Sequence, residues 1–433
     1  MEISELYRIF LEHPQITTDS RDCPKGSIFF ALKGESFNGN AYAGKAIEQG
    51  CSYAVVDERQ YLKEDDKRFV LVDNCLKALQ DLANYHRRQL GTKIIGVTGT
   101  NGKTTTKELI STVLAEKYNV LYTLGNFNNH IGVPKTLLRL TKDNDIAVVE
   151  MGANHPGEIK TLVNIVEPDF GIITNVGKAH LQGFGSFEGV IKTKGELYDF
   201  LRTKPESVVF IDHENEHLAK ISHDLKLVKY GTADNDDLCA NGKVISCAPF
   251  LKFEWRHGAG EWHEVQTHLI GSYNIYNMLA AACIGLYFGV SPEQIDHALT
   301  NYIPSNNRSQ LTVTQHNKLI VDTYNANPTS MSAALKNFRD MDVKPKMAIL
   351  GDMRELGDVS GEEHQKVVDF LQDAGITNVW LVGNEFGKTR CGFRKFDNVD
   401  EVKAAIMKER PEGFYLLIKG SNGIKLFQLP ELL

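Results

Sequence analysis

The chain has 433 residues, 42% hydrophobic and 24% charged, a globular composition on a length beyond one ordinary core, so about three domains are expected and a disordered or fibrous protein is excluded. A formal net charge of -7 speaks against a nucleic-acid surface, because phosphate backbones are held by clustered Lys and Arg. The seven cysteines (23, 51, 75, 239, 247, 283 and 391) never fall in a C-x-x-C spacing, Met1 is not followed by a signal-peptide pattern, and no apolar run reaches membrane-spanning length, so reduced thiols, a cytoplasmic location and no membrane insertion are expected.

Residues 1–90 carry short strand patterns at 28–32, 53–56 and 69–72, with helical segments between and a last one over 76–89, which predicts a small α/β domain. Two polar loops lie within it, Thr17-Thr18-Asp19-Ser20-Arg21 and Lys33-Gly34-Glu35-Ser36-Phe37-Asn38-Gly39-Asn40. A hydroxyl followed by an arginine suits a phosphate or nucleotide head group, and an ordinary turn has the same composition.

The second segment, 91–305, opens on Ile94-Ile95-Gly96-Val97-Thr98-Gly99-Thr100-Asn101-Gly102-Lys103-Thr104-Thr105. An apolar run breaks into a glycine-punctuated turn and then into residues with apolar spacing of a helix, the order strand, phosphate loop, helix. Gly99 and Gly102 let backbone N–H groups face a polyphosphate, the helix N-terminus adds positive dipole, Lys103 adds a point charge and the Thr104 hydroxyl suits magnesium. The strict nucleotide loop has glycine where this chain has Val97, so the loop is a variant. Strand patterns recur at 120–122, 145–150, 170–174 and 207–211 with helical segments between, which argues for a mainly parallel sheet covered by helices. A β-hairpin is expected around His257-Gly258-Ala259-Gly260, followed by a buried helix over 273–287. The third segment, 306–433, restarts the alternation with strands near 318–321, 347–350, 379–382 and 414–418, an open doubly wound α/β domain whose ligand belongs beyond the strands' carboxyl ends.

Several residues sit where such sheets do chemistry. Glu150 ends an apolar strand in the sheet of the phosphate loop, the place of a magnesium-holding carboxylate. His180 follows a second such strand and reads equally as a metal ligand or as polar surface. Lys192 and Lys194, taken alone, read as charges on an exposed helix start. Asn126-Phe127-Asn128-Asn129 offers amides to a polar ligand, Asn274 is placed to cap the buried helix, and Arg308 and Asp322 lie at a domain junction and a strand end. The residues thus lead to a three-domain ATP-dependent enzyme using magnesium, with no acceptor named; a nucleotide-dependent switch is the alternative from another class.

The loop 98–105 resembles that of the Mur ligase superfamily, which includes folylpolyglutamate synthases and uses the displaced-glycine variant. Gly125-Asn126-Phe127-Asn128-Asn129, Glu150-Met151-Gly152-Ala153-Asn154, Ala179-His180-Leu181-Gln182-Gly183-Phe184-Gly185 and Asp322-Thr323-Tyr324-Asn325-Ala326-Asn327-Pro328 follow in the family's order, and the Asp-Asn-Pro-Arg motif of the diaminopimelate-adding member is absent. The resemblance implies three domains: a UDP-substrate domain (1–90), a central P-loop ATPase domain with a parallel sheet (91–305) and a Rossmann-like ligase domain (306–433). It implies that ATP phosphorylates the terminal carboxylate of a UDP-N-acetylmuramoyl tripeptide and that D-alanyl-D-alanine attacks the acyl phosphate; a monomer is expected. Gly99, Thr100, Asn101, Gly102, Lys103, Thr104 and Thr105 would hold ATP, with Asn274 at adenine, Arg308 at the phosphates and Asp322 at the nucleotide. Thr104, Glu150 and His180 would hold two Mg2+ ions, aided by Lys194 as a carbamate formed with carbon dioxide, Lys192 being the fallback. Ser20, Arg21, Asn38 and Asn40 would lie near uridine and its phosphates, Asn128 and Asn129 near the UDP-sugar, and Tyr324, Asn325 and Asn327 on the dipeptide side.

Overall fold

Short apolar runs form the strands of three sheets in the computed structural model, which describes residues 1–63, 65–304 and 310–433. The first sheet is four-stranded and parallel, in the order Ile16–Thr17, Ile28–Phe30, Tyr53–Val56 and Phe69–Leu71. Helix Cys75–Leu90 closes it, started by the Asn74 side chain accepting from Lys77 N and stopped by Gly91 at φ 68, a left-handed position that glycine takes without a Cβ clash. This helix ties the domain to the next: His86 Nε2 is hydrogen-bonded to the Leu140 carbonyl at 2.9 Å, and Arg88 pairs with Glu167. One hydrophobic core runs from Leu6 and Phe29 through to Ala147 and Val149.

The second sheet has nine strands. The loop strand Lys93–Thr98 lies between Ile146–Glu150 on one side and Phe170–Ile173 on the other, with Val120–Tyr122 beyond the former and Val208–Asp212 beyond the latter. All of these pairs are parallel. Alternate residues feed opposite faces: Ile95 and Val97 join the core under helices Lys103–Ala115 and Ile275–Tyr287, whereas Ile94 joins the core under Glu158–Val166 and Phe187–Arg202. Because the chain leaves Lys93–Thr98 in one direction and later returns to the other side, the carboxyl ends splay around a crevice at that strand.

The expected hairpin is present as Phe250–Arg256 and His263–Ile270, but it extends the central sheet through Ala240–Cys247 and Leu227–Gly231, two strands the sequence pattern did not reveal. Asn241-Gly242 has the composition of a turn and instead sits inside a strand, where a Cβ on Gly242 would lie 2.7 Å from Leu279 Cδ2. Trp255, fully buried, donates Nε1–H to Asp296 at 2.7 Å and fastens the hairpin to helix Pro292–Asn301.

The third sheet has six strands, ordered Gln310–Val313, Lys318–Asp322, Tyr415–Lys419, Lys346–Gly351, Val379–Val382 and Arg394–Phe396, antiparallel only in its first pair. It meets the central domain through paired amides of Asn101 and Asn327, through Ser272 N donating to Asn337 Oδ1 at 3.1 Å, and through a Lys178–Glu363 ion pair at 3.5 Å. No helix among the described residues is long and apolar enough to cross a membrane.

Candidate active site

The phosphate loop is shaped by what its glycines exclude. Gly99 has φ 143, and a Cβ there would fall 2.0 Å from Thr174 Oγ1; Gly102 has φ 76 and turns the chain into helix Lys103–Ala115. Neighbouring strand ends brace the turn. Thr100 N donates to the Asn175 carbonyl, Asn101 N donates to Asn175 Oδ1 at 3.0 Å, and Thr174 Oγ1 donates to the Asn101 carbonyl at 2.6 Å. Lys103 Nζ is folded back onto the carbonyls of Gly99 and Thr100, at 2.9 and 3.0 Å.

Glu150 arrives on the next strand, 1% exposed. Its Oε1 accepts from Thr104 Oγ1 at 3.2 Å and from Asn128 Nδ2 at 2.8 Å, whereas Oε2 is buried with no hydrogen-bond partner. A buried anionic oxygen without a partner is costly, and a hydroxyl beside it completes the oxygen donor set that a hard divalent cation takes. The residues present therefore fit Mg2+ at Thr104 and Glu150.

His180 adopts left-handed backbone geometry at φ 50 and donates Nδ1–H to the carboxylate of Glu355, which reaches across from the third domain and is itself at φ 64. Burial lowers the His180 pKa despite the raising influence of Glu355, so Nε2 keeps its lone pair at neutral pH. Lys194 corrects the reading of an exposed helix start: it lies on helix Phe187–Arg202 at 2% exposure, while Lys192 is exposed. Its amine donates to the Ala153 carbonyl at 3.3 Å and lies over the Phe184 ring, and no carboxylate among the described residues forms an ion pair with it. Burial, with the charge of Lys103 adding to it, pushes the Lys194 amine down to about 7.

A cavity of about 840 Å³ joins the phosphate loop to Glu150 and His180, lined by Thr100, Asn101, Gly102, Lys103 and Thr105 together with Asn128, Asn129, Asn274, Asp322, Tyr324 and Asn325; Thr104 and Lys194 are not part of its lining. Several predicted residues also hold contacts within the protein. The Asn274 side chain does not cap its helix; Nδ2 donates to the Ile270 carbonyl and Oδ1 accepts from Asn277. Asp322 is ion-paired with the buried Lys419 at 2.6 Å. Asn327 caps helix Pro328–Asp340, and Asn129 Oδ1 accepts from the amides of Ile131 and Gly132. Asn40 is 1% exposed, donating to Asp57 and accepting from the amides of Asp57 and Glu58, so it shapes its loop from inside. Asn38 donates to Glu58, while Ser20 and Arg21 stand outside the cavity; Arg21 is exposed and forms a two-pronged pair that holds the Asp19 carboxyl down at about 2. Arg308 lies outside the described residues.

Two groups escaped the sequence reading. Asn175 holds the loop open, and Asp212 lines the cavity after the apolar strand 208–211, the same signal that singled out Glu150.

The comparisons with known proteins agree with this arrangement. The profiles described as "Mur ligase family, catalytic domain", "Mur ligase middle domain" and "Mur ligase, glutamate ligase domain" match residues 14–87, 97–285 and 307–422 in turn. The UDP-N-acetylmuramoyl-tripeptide--D-alanyl-D-alanine ligase of Bacillus subtilis (strain 168) is 33% identical over 446 residues, covering 99% of this chain and 96% of its own. A crystal structure of MurF from Acinetobacter baumannii superposes with a TM-score of 0.87 at 30% identity, covering 96% of this chain and 92% of its own. The MurF ligase of Thermotoga maritima in complex with ADP shares the fold, with a TM-score of 0.86 at 24% identity over 98% of this chain and 97% of its own. With all three parts matched in order and a relative one third identical from end to end, the chain belongs to the Mur ligase family.

Proposed function

We infer that the protein is an ATP-dependent ligase that joins D-alanyl-D-alanine to the terminal carboxylate of UDP-N-acetylmuramoyl tripeptide, a step of peptidoglycan precursor synthesis. The observation that carries this reading is the unpartnered Glu150 oxygen beside the phosphate loop, at a cavity lined by the second and third domains together.

A free carboxylate acylates poorly because its leaving group would be oxide, and phosphorylation supplies a better one. With the Thr100 and Asn101 amides engaged by Asn175, the amides that open helix Lys103–Ala115 bind the phosphate chain, and Lys103 exchanges the carbonyls of Gly99 and Thr100 for the outer phosphates. Mg2+ held by Thr104 and Glu150, and a second ion at His180, would neutralise the charge that develops on the transferring phosphoryl group. Glu355, at Nδ1, favours the His180 tautomer that leaves the lone pair on Nε2. With its pKa held at about 7, Lys194 is suited in its neutral form to capture carbon dioxide, forming an N–C bond and losing a proton, which turns the amine into an anion that the charge of Lys103 favours. Asn128 orients Glu150, and the third domain brings Asp322, Tyr324 and Asn325 over the cavity to exclude water from the acyl phosphate. Attack by the dipeptide amine then releases inorganic phosphate. Monomeric action and the uridine contacts of Ser20, Arg21 and Asn38 belong to the same proposal.

Phosphate release is expected only when ATP, UDP-N-acetylmuramoyl tripeptide and D-alanyl-D-alanine are all present. Comparable turnover with a folate and glutamate instead of that pair would assign the chain to the folate branch of the family, and nucleotide binding without release under any acceptor would make it a switch. At the uridine end, Arg21→Ala is expected to raise KM for the UDP-substrate about 10- to 100-fold, the worth of one charged hydrogen bond, with kcat unchanged. The melting temperature should stay put, since the Arg21–Asp19 pair is exposed and surface pairs contribute little. An unchanged KM would remove Arg21 from the site.

A further inference from the structure

Resting on the ligase reading above, we propose that the third domain sets the His180 ring of the second: Glu355 is a positioning residue that fixes the tautomer and orientation of this imidazole, and it does so only while the two domains are docked.

The loop that carries Glu355 is anchored residue by residue to its own domain. Asp352, after the strand Lys346–Gly351, accepts from the amides of Glu385 and Phe386 at 2.9 Å each. The amide of Met353 donates to Nε2 of His364 at 3.0 Å, so the proton of that fully buried ring is on Nδ1, which donates to the Ser360 carbonyl at 2.7 Å. The amide of Arg354 donates to Ser421 Oγ at 3.0 Å, and its guanidinium donates to the Gly423 carbonyl at 3.1 Å. Glu355 follows at φ 64, a left-handed backbone that a residue with a Cβ keeps only where its surroundings impose it.

This loop takes hold of the second domain by side chain and by backbone. The Glu355 carboxylate accepts from His180 Nδ1, and the Glu355 carbonyl accepts from Gln182 N at 3.3 Å. No other described residue is hydrogen-bonded to the His180 ring; the second domain itself gives it the edge of Phe184, with 6.3 Å between ring centres. A ring with one polar partner turns and exchanges tautomers when that partner leaves, and here the partner leaves with its domain. Nearby, Lys178 N donates to Thr329 Oγ1 of the third domain at 3.2 Å, so the docked contact runs along the whole segment before the ring. The Glu355 side chain is 55% exposed, and exposed pairs contribute little to stability, so its effect falls on the ring rather than on the fold. Because His180 lines the cavity together with Lys103 and Glu150, the state of the ring is part of what the site offers to a transferring group.

The test uses the full chain labelled with 15N at histidine, the His180 signals being those lost in His180→Asn. The wild type is expected to show one tautomer, protonated at Nδ1. Glu355→Ala should show exchange between both tautomers, with kcat for ATP-dependent phosphate release lowered about 10- to 100-fold, KM values for ATP and the UDP-substrate unchanged, and the same scattering radius as the wild type. Glu355→Gln keeps an acceptor for the Nδ1 proton, so it should hold the single tautomer and recover part of the lost kcat. Thr329→Trp, a wedge between the domains, should enlarge the radius and set the His180 signals exchanging with Glu355 intact. An alanine variant with wild-type ring signals or unchanged kcat overturns the assignment. So does an alanine variant of larger radius, which would make Glu355 a tie between domains, or a wedged variant whose radius grows while the ring signals stay. The spectra are read without substrate, so a wild type that releases no phosphate fails the ligase reading alone and leaves the ring assignment to be decided by them.

Discussion

Glu150→Gln is expected to lower ATP-dependent phosphate release by about 10²- to 10³-fold or more while leaving the protein at least as stable as the wild type. The two effects come from the same atom. The carboxylate's Oε1 is satisfied by Thr104 and Asn128, so glutamine keeps its carbonyl oxygen there and places an amide NH2 where Oε2 now stands unpartnered. Exchanging a buried, half-satisfied anion for a neutral group relieves desolvation, a change that is often neutral or favourable to folding. The same exchange removes the charged oxygen that stands beside the loop for a cation and turns a donor toward it. Phosphate release, thermal melting and Mg2+ affinity by calorimetry should therefore move apart: activity and Mg2+ affinity down, melting temperature level or up. Activity within tenfold of wild type would show that Glu150 does not hold the cation, whatever the stability does.

Glu150 was legible because one residue type, an acid, ended an unmistakably apolar strand whose position in an α/β sheet is set by topology. The same signal at Asp212 went unread because the strand 208–211 stands two places from the loop, and the order of strands in a sheet is not written in local sequence. Strand Ala240–Cys247 was hidden for another reason: half of it is exposed and it contains Asn-Gly, so neither alternation nor composition marked it. Spacing could not tell the buried Lys194 from the exposed Lys192, because helix Phe187–Arg202 is covered on one side only and its orientation depends on Glu158–Val166, some thirty residues earlier. Amide-rich loops are ambiguous in another way. Asn40, Asn129 and Asn327 have the composition of ligand contacts, and the side-chain oxygen of each accepts from backbone amides that turn or cap the chain, the commoner use of asparagine. Side chains that bind and side chains that shape a loop share a chemistry, and only the presence of a nearby backbone amide separates them.

Lys194→Met is expected to abolish turnover and to raise the melting temperature at pH 7. Lysine ordinarily titrates near 10.4, and the folded protein holds Lys194 at about 7, mainly through burial. Between those values the unfolded chain binds a proton that the folded one does not, so stability rises with pH through that window; below about 7 the penalty on the folded state is complete. Removing the amine should therefore stabilise the protein by on the order of a few kcal/mol near neutrality and flatten the rise in stability from pH 7 to 10. A residue kept buried at such a cost, with no ion pair to a carboxylate among the described residues, calls for a chemical reason, and carbamate formation gives one, because the resulting anion would be drawn to Lys103 where the ammonium is repelled. Wild-type enzyme in buffer stripped of carbon dioxide should lose activity and regain it with bicarbonate, and 13C-labelled carbon dioxide should give a carbamate resonance that survives Lys192→Met and vanishes in Lys194→Met. Partial rescue of Lys194→Met by a small carboxylate such as acetate would locate the missing function in the anion. Full activity of Lys194→Met, or a carbamate signal lost only in Lys192→Met, would move the role off Lys194, and the pH dependence of stability would then be all that its burial explains.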